Sequence, residues 1–140
     1  MATGVLPHLL LVDDDLAVLR ALDRALTQFG VRVSVAADPA TARSIVAGGD
    51  VDALVLDYRL PGTRGDQLLE ELSRSHPELR HRTVLITGDI SPEGIDRLVA
   101  TGCPVLLKPF PMGELKTCVG DLLGRKRAEL SEIVTVTPAA

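Results

Sequence analysis

Five short apolar runs, each followed by a stretch with helical periodicity, constrain what this chain can fold into more than any other feature. The runs are His8–Val12, Val31–Val35, Ala53–Leu56, Thr83–Ile86 and Pro104–Leu107. The first, third, fourth and fifth are almost continuous in Leu, Val and Ile. Such runs suit strands covered on both faces, as in a parallel sheet. The second differs, because Val31, Val33 and Val35 alternate with Arg32 and Ser34. One of its faces should meet water, which suits an edge strand.

Between the runs lie five helix patterns. Leu16, Leu19, Leu22, Leu26 and Phe29 recur at three and four residues, and Gly30 stops that helix. Asp38-Pro39 reads as an N-cap followed by proline at the first helical position, with Gly48-Gly49 as the end. Leu68, Leu69 and Leu72 mark the third helix. Ser91-Pro92-Glu93 repeats the cap-and-proline signal ahead of Ile95, Leu98 and Val99. Pro111 opens the fifth, marked by Met112, Leu115, Val119, Leu122 and Leu123. A strand–helix alternation repeated five times implies a parallel sheet with helices on both faces, joined by right-handed crossovers. In such sheets ligands sit beyond the carboxyl ends of the strands, where the strand order reverses.

Composition narrows the function. The 140 residues suit one domain, and 46% of them are apolar, enough to fill a core. A net charge of −4 argues against a dedicated nucleic-acid binder. The one dense basic run, Arg125-Lys126-Arg127, reads as a solvated helix end. Two cysteines, Cys103 and Cys118, make neither a disulfide framework nor a zinc spacing, and read as small apolar residues. No run approaches the ~20 apolar residues of a membrane span, and no signal peptide is evident. The expected compartment is the cytoplasm. His8, His76 and His81 have no partners at metal-ligand spacing, and a structural or solvated role is expected for each.

The strand ends carry the chemistry. Strand one ends in Asp13-Asp14-Asp15, strand three in Asp57, strand four in Thr87 and strand five in Lys108-Pro109. If the carboxylates meet at the rim they repel, by about 4 kcal/mol for two charges ~4 Å apart at an effective dielectric near 20. Either one stays protonated or a cation sits among them. Mg2+ prefers hard oxygen ligands and is held by one or two carboxylates plus a phosphate. Asp57 could then attack phosphorus as a nucleophile. Lys108 would add a mobile positive charge and Thr87 a hydroxyl donor. Asp15 reads as the cap of the first helix. Tyr58 and Phe110 read as packing residues near the site.

Four segments, residues 10–15, 54–62, 84–88 and 108–110, resemble the receiver domains of response regulators in two-component signalling. They run Leu-Leu-Val-Asp-Asp-Asp, Leu-Val-Leu-Asp-Tyr-Arg-Leu-Pro-Gly, Val-Leu-Ile-Thr-Gly and Lys-Pro-Phe. The resemblance covers roughly residues 8–124, leaving 1–7 as a tail and 125–140 as a helix extension and tail. It implies a flavodoxin-like (βα)5 fold, a doubly wound five-stranded parallel sheet of order 2-1-3-4-5. It also implies that Asp57 is the phosphoacceptor, that Asp14 ligates Mg2+ directly, and that Asp13 acts largely through water. The Arg59 carbonyl is a further implied ligand. Thr87 and Lys108 would grip the phosphoryl group, and the Lys108–Pro109 bond would be cis. The implied partner is a sensor histidine kinase or a histidine phosphotransfer protein, with no direct contact to nucleic acid or membrane; a weak homodimer stays open. The chain is expected to be a signalling domain that assists its own phosphorylation and dephosphorylation, not an enzyme acting on other substrates.

Two departures stand out. Receivers carry Tyr or Phe three residues before the lysine; here Val105 stands there, so a different read-out is expected. The segment Thr101–Val105 is closer to the receivers at the ends of hybrid sensor kinases than to those fused to DNA-binding domains. Arg59 and Asp89 occupy the positions that tune phosphoryl lifetime in the family. A rival reading is a phosphohydrolase similar to the haloacid-dehalogenase group, which needs a second Asp where Arg59 stands. A second rival, a degenerate receiver acting only as a binding module, would not bind Mg2+.

Overall fold

In a computed structural model, residues 6–88 and 91–130 are described, with side chains as far as residue 124. The order is β1 (His8–Val12), α1 (Leu16–Gln28), β2 (Arg32–Ala36), α2 (Pro39–Ala47), β3 (Ala53–Asp57), β4 (Arg59–Leu60), β5 (Thr63–Arg64), α3 (Gly65–Ser75), β6 (Thr83–Thr87), α4 (Pro92–Thr101), β7 (Val105–Leu107) and α5 (Met112–Leu130). A 3₁₀ turn, Pro77–His81, precedes β6. Five strands form one parallel sheet in the order β2-β1-β3-β6-β7. Counted among the five long strands, that is 2-1-3-4-5, the flavodoxin-like order expected. The pair β4–β5 is a separate antiparallel hairpin between β3 and α3.

Strand alternation divides the core into two layers, because successive side chains of a strand point to opposite faces. Leu9, Leu11, Ala53, Val55, Val84 and Ile86 face α1 and α5, where Leu19, Leu22, Leu26, Leu115, Val119 and Leu122 close over them. Leu10, Val12, Leu54, Leu56 and Leu85 face the opposite way, toward Ala42 and Val46 of α2, Leu68, Leu69 and Leu72 of α3, and Leu98 of α4. Strands β1, β3 and β6 are buried along their whole length, which explains their unbroken apolar runs.

The edge strands differ from the sequence reading in detail. β2 is an edge, as expected, but begins at Arg32, and its alternation is imperfect: Val35 is exposed while Ser34 is half-buried. Ser34 is held there by His8, whose Nε2 lies 2.7 Å from its Oγ. His8 is itself buried and also lies 3.1 Å from Asp50 Oδ1, at the end of the sheet opposite the strand-end carboxylates. β7, expected to be covered on both faces, is the other edge, and Leu107 is 50% exposed. Its edge position agrees with the expected order, but the two-sided burial that its apolar run suggests does not occur: Val105 and Leu106 are only half-buried.

The helix caps follow the sequence. Asp15 Oδ1 accepts from the amides of Ala17 and Val18, Asp38 Oδ1 from that of Thr41, and Ser91 Oγ from that of Gly94. Gly102 ends α4 in the left-handed region, at φ 74°, where a Cβ would be strained. Leu16, Phe29, Ile95 and Val99, all at periodic positions, miss the core. Leu16 sits in the first turn of α1 and is 56% exposed. Ile95 and Val99 of α4 are exposed because α4 lies against the sheet margin, where only Gly94 and Leu98 become buried. The expected helix extension past residue 124 is helical in its backbone to Leu130; its remainder and the tail, like residues 1–5, lie outside the described residues.

Gly120 lies inside α5, and a Cβ added there would meet the Phe29 ring at 3.6 Å, ordinary contact. Alanine removes the entropic cost of a helical glycine, about 1 kcal/mol. Gly120→Ala is therefore expected to raise stability by about 1 kcal/mol, measured from the urea midpoint.

Candidate functional site

Strand register builds the site. Val12 of β1 stands opposite Leu56 of β3, so the next residues, Asp13 and Asp57, leave the sheet side by side. Asp57 stands opposite Ile86 of β6, and Thr87 opposite Leu107 of β7. Thr87 and Lys108 therefore sit one step further along the same rim. The backbone locks this arrangement: Lys108 N donates to the Thr87 carbonyl at 2.8 Å, and Tyr58 N to the Ile86 carbonyl at 2.8 Å. Lys108–Pro109 is cis.

Asp13, Asp14 and Asp57 each bring a carboxylate oxygen within 4.8 Å of the others. Asp13 is 1% exposed and Asp57 5%, whereas Asp14 is open to solvent. Lys108 reaches in between the two buried ones. Its Nζ donates to Asp13 Oδ2 at 2.9 Å and to Asp57 Oδ2 at 3.3 Å. One ammonium thus faces two buried carboxylates, with a third nearby. Asp13 Oδ1 also accepts from the Asp15 amide at 2.9 Å, so this carboxylate is aimed by the start of α1.

The electrostatics follow from that imbalance. Burial, then the neighbouring Asp13 charge, raise the pKa of Asp57 from 3.8 to about 6, against the pull of Lys108. Burial works against the Lys108 ammonium, but its hydrogen bond to Asp13 and the Asp57 charge outweigh this and hold its pKa above the ordinary value. A negative surplus in a half-closed pocket of hard oxygens is the setting a divalent cation relieves. Asp13, Asp14 and Asp57 fit Mg2+ by donor type and by spacing, with Asp14 on the open side.

Of the residues expected at the site, Asp13, Asp14, Asp57, Arg59, Thr87 and Lys108 are described, and all lie at this rim. Thr87 is fully buried at the end of β6. Arg59 is exposed at the start of the hairpin, its amide 3.4 Å from Asp57 Oδ1. Asp89, the expected counterpart of Arg59, lies outside the described residues. Val105 is half-buried and packs against the layer of α2, α3 and α4. Tyr58 is wholly buried in that layer, and Phe110 packs with the opposite one.

Gly65, which sequence reasoning passed over, supports the backbone at Asp57. It opens α3 and donates from its amide to the Tyr58 carbonyl at 2.6 Å. A Cβ there would collide with the backbone carbonyl of Asp57. The glycine is visible in the sequence, but the close approach arises only when the hairpin folds α3 back onto β3.

A doubly wound sheet with an acidic pocket and a lysine at its carboxyl rim defines a class of α/β signalling domains, and comparison with known proteins identifies the family. Residues 9–120 match the response regulator receiver domain, and the chain belongs to that family of two-component signalling domains. The transcriptional regulatory protein PrrA of Mycobacterium tuberculosis is 34% identical over 142 residues, covering 99% of this chain and 60% of PrrA. The response regulator MprA of Mycobacterium ulcerans is 35% identical over 125 residues, covering 89% of this chain and 53% of MprA. The chain thus spans little more than half the length of these relatives. The CheY-like receiver domain protein of Methanospirillum hungatei superposes with a TM-score of 0.80 at 25% identity, covering 89% of this chain and 98% of that one. The receiver domain of an HD domain-containing protein from Pseudomonas fluorescens gives 0.79 at 26% identity, covering 87% and 98%. No helix among the described residues is long and apolar enough to cross a membrane.

Two outcomes are expected. Gly65→Ala should lower stability by about 1–3 kcal/mol, as overpacking does, and shift the Asp57 and Tyr58 amide resonances in an NMR spectrum. The second concerns pH. The folded state holds the Asp57 proton more tightly than the unfolded state, so this contribution to stability is full below about pH 4 and is lost as pH rises toward about 6. In chelator at pH 7, Asp57→Asn should therefore gain about 1–3 kcal/mol over the parent. Urea unfolding at pH 4 and pH 7 should show that advantage only at the higher pH.

Proposed function

We propose that this receiver domain takes a phosphoryl group on Asp57 from a phosphohistidine of a sensor kinase or phosphotransfer protein, or from a small phosphodonor, in a Mg2+-dependent reaction. The observation that carries the reading is the meeting of Asp13, Asp14, Asp57 and Lys108, drawn from three strand ends, in one pocket.

Each residue then has a task. An Asp57 carboxylate oxygen attacks phosphorus; the P–O bond forms as the P–N bond to the donor imidazole breaks, and the imidazole takes a proton from water. Asp14 and the Arg59 carbonyl would hold the ion directly and Asp13 through water. When bound, Mg2+ supplies two positive charges that offset the carboxylates and the phosphoryl oxygens. Lys108, already within reach of Asp57, turns its ammonium to a phosphoryl oxygen, and the Thr87 hydroxyl donates to another. The same pocket later admits water, which cleaves the acyl phosphate to free phosphate and Asp57. The product carries roughly 1.5–2 added negative charges, which Lys108 and a bound cation would have to offset in place of the single Asp57 carboxylate.

Intact-mass measurement after incubation with acetyl phosphate tests the reading. With Mg2+ the protein should gain the mass of one phosphoryl group. With chelator, or in Asp57→Asn, it should gain none, and Lys108→Ala should slow the gain roughly 100-fold, the scale for losing one charge-stabilising donor. A full gain in Asp57→Asn, or in chelator, would remove the basis of the proposal.

A further inference from the structure

Tyr58 is the only tyrosine in the chain, and the fold ties it to three elements at once. It follows Asp57 directly. Its amide donates to Ile86 of β6, and its carbonyl accepts from Gly65 of α3. Its ring is 2% exposed within the layer of α2, α3 and α4, where Val105 also packs. Its hydroxyl oxygen accepts a hydrogen bond of 3.3 Å from Arg97 Nη1, on α4. The residue beside the acceptor is thus fastened to a helix that the rest of the core holds lightly. Only Gly94 and Leu98 of α4 are buried, while Ile95 and Val99 face outward, Val99 at 70% exposure.

The geometry also limits where a disturbance at Asp57 can go. On the α3 side the Asp57 carbonyl has no free room, since even a methyl group on Gly65 would strike it. The Tyr58 ring, by contrast, spans from the Asp57 backbone to α4 and ends on an exposed, flexible arginine. The other two aromatic residues do not share this layer: Phe29 lies against α5 and Phe110 packs with the α1–α5 layer. Packed cores shift between discrete arrangements and do not deform continuously. A change of backbone position at Asp57 would therefore be felt at the Tyr58 hydroxyl.

We infer that the Tyr58–Arg97 hydrogen bond links the charge state of Asp57 to the position of α4, so that the exposed Ile95–Val99 face of that helix moves when the acceptor is loaded. The inference rests on the phosphoacceptor reading above. Tyr58 acts here as a positioning residue, by way of Arg97, and does not touch the phosphoryl group.

The test is amide NMR of the full chain with and without beryllofluoride plus Mg2+, in the parent, Tyr58→Phe and Arg97→Ala. Tyr58→Phe keeps the ring and removes only the hydroxyl. In the parent, beryllofluoride should shift Thr87, Gly88 and Lys108 at the site and residues 93–101 of α4. In both variants the site shifts should persist, while the α4 shifts fall to less than half. An α4 response of parental size in both variants overturns the link. Loss of the site response in Tyr58→Phe also overturns it, because Tyr58 would then act on the pocket itself. A parent whose site resonances do not respond would sink the phosphoacceptor reading, and the link with it; this outcome differs from the others in the parent spectrum alone.

Discussion

Like charges pressed together at one end of a sheet govern this molecule. Parallel register sets Val12 opposite Leu56, which forces Asp13 and Asp57 out of the sheet as neighbours. Both are buried, and a single ammonium, Lys108, bridges them. One positive charge against two buried negatives, with Asp14 close by, leaves a surplus. A carboxylate in that position is held by the fold around it, at a cost that the burial and neighbouring charge of Asp57 reveal in its raised pKa. Sites of this kind are poised to bind cations and electrophilic, anion-bearing groups, because either relieves the tension that the backbone maintains.

That tension needs a rigid frame. Strands β1, β3 and β6 supply it, buried end to end and covered on both faces by leucine-rich helices. The two layers differ in how they end near the site. The α1–α5 layer closes with large side chains from both helices. The other layer has α2 and α3 firmly packed but α4 resting on Gly94 and Leu98. The margin of the sheet at β7 is correspondingly open. A change at Asp57 therefore meets buried packing on most sides, and on one side a helix buried only at Gly94 and Leu98. Val105, a half-buried aliphatic residue in place of an aromatic ring, leaves Tyr58 as the single aromatic side chain in that layer.

Much of this was legible along the chain. The five apolar runs, the caps at Asp15, Asp38 and Ser91, and the breaks at Gly30 and Gly48-Gly49 are local signals, each with its own physical cause within a few residues. They suffice to name the alternation and hence the parallel sheet. The site residues were legible for a related reason: in a parallel sheet every strand points its carboxyl end the same way, so polar residues that end strands must share a rim. The misjudged positions are those where burial depends on a neighbour far away in sequence. Ile95, Val99 and Leu107 have apolar side chains and good periodicity, yet each stays more than 40% exposed. His8 has the structural role expected of it, but its burial could not be read locally, because Ser34 and Asp50 arrive from distant segments to bond it.

By itself, then, the sequence determined the element types, their order, and the set of strand-end groups that could react, since these follow from periodicity and turn chemistry that act over one or two helical turns. Tertiary structure alone decided that Lys108 bridges Asp13 and Asp57 and leaves Asp14 open. It alone brought Gly65 against the Asp57 carbonyl and the Tyr58 hydroxyl to Arg97. These are contacts between residues separated by as many as 95 positions, and no local preference encodes a distance between side chains until the sheet has paired and the helices have packed across it.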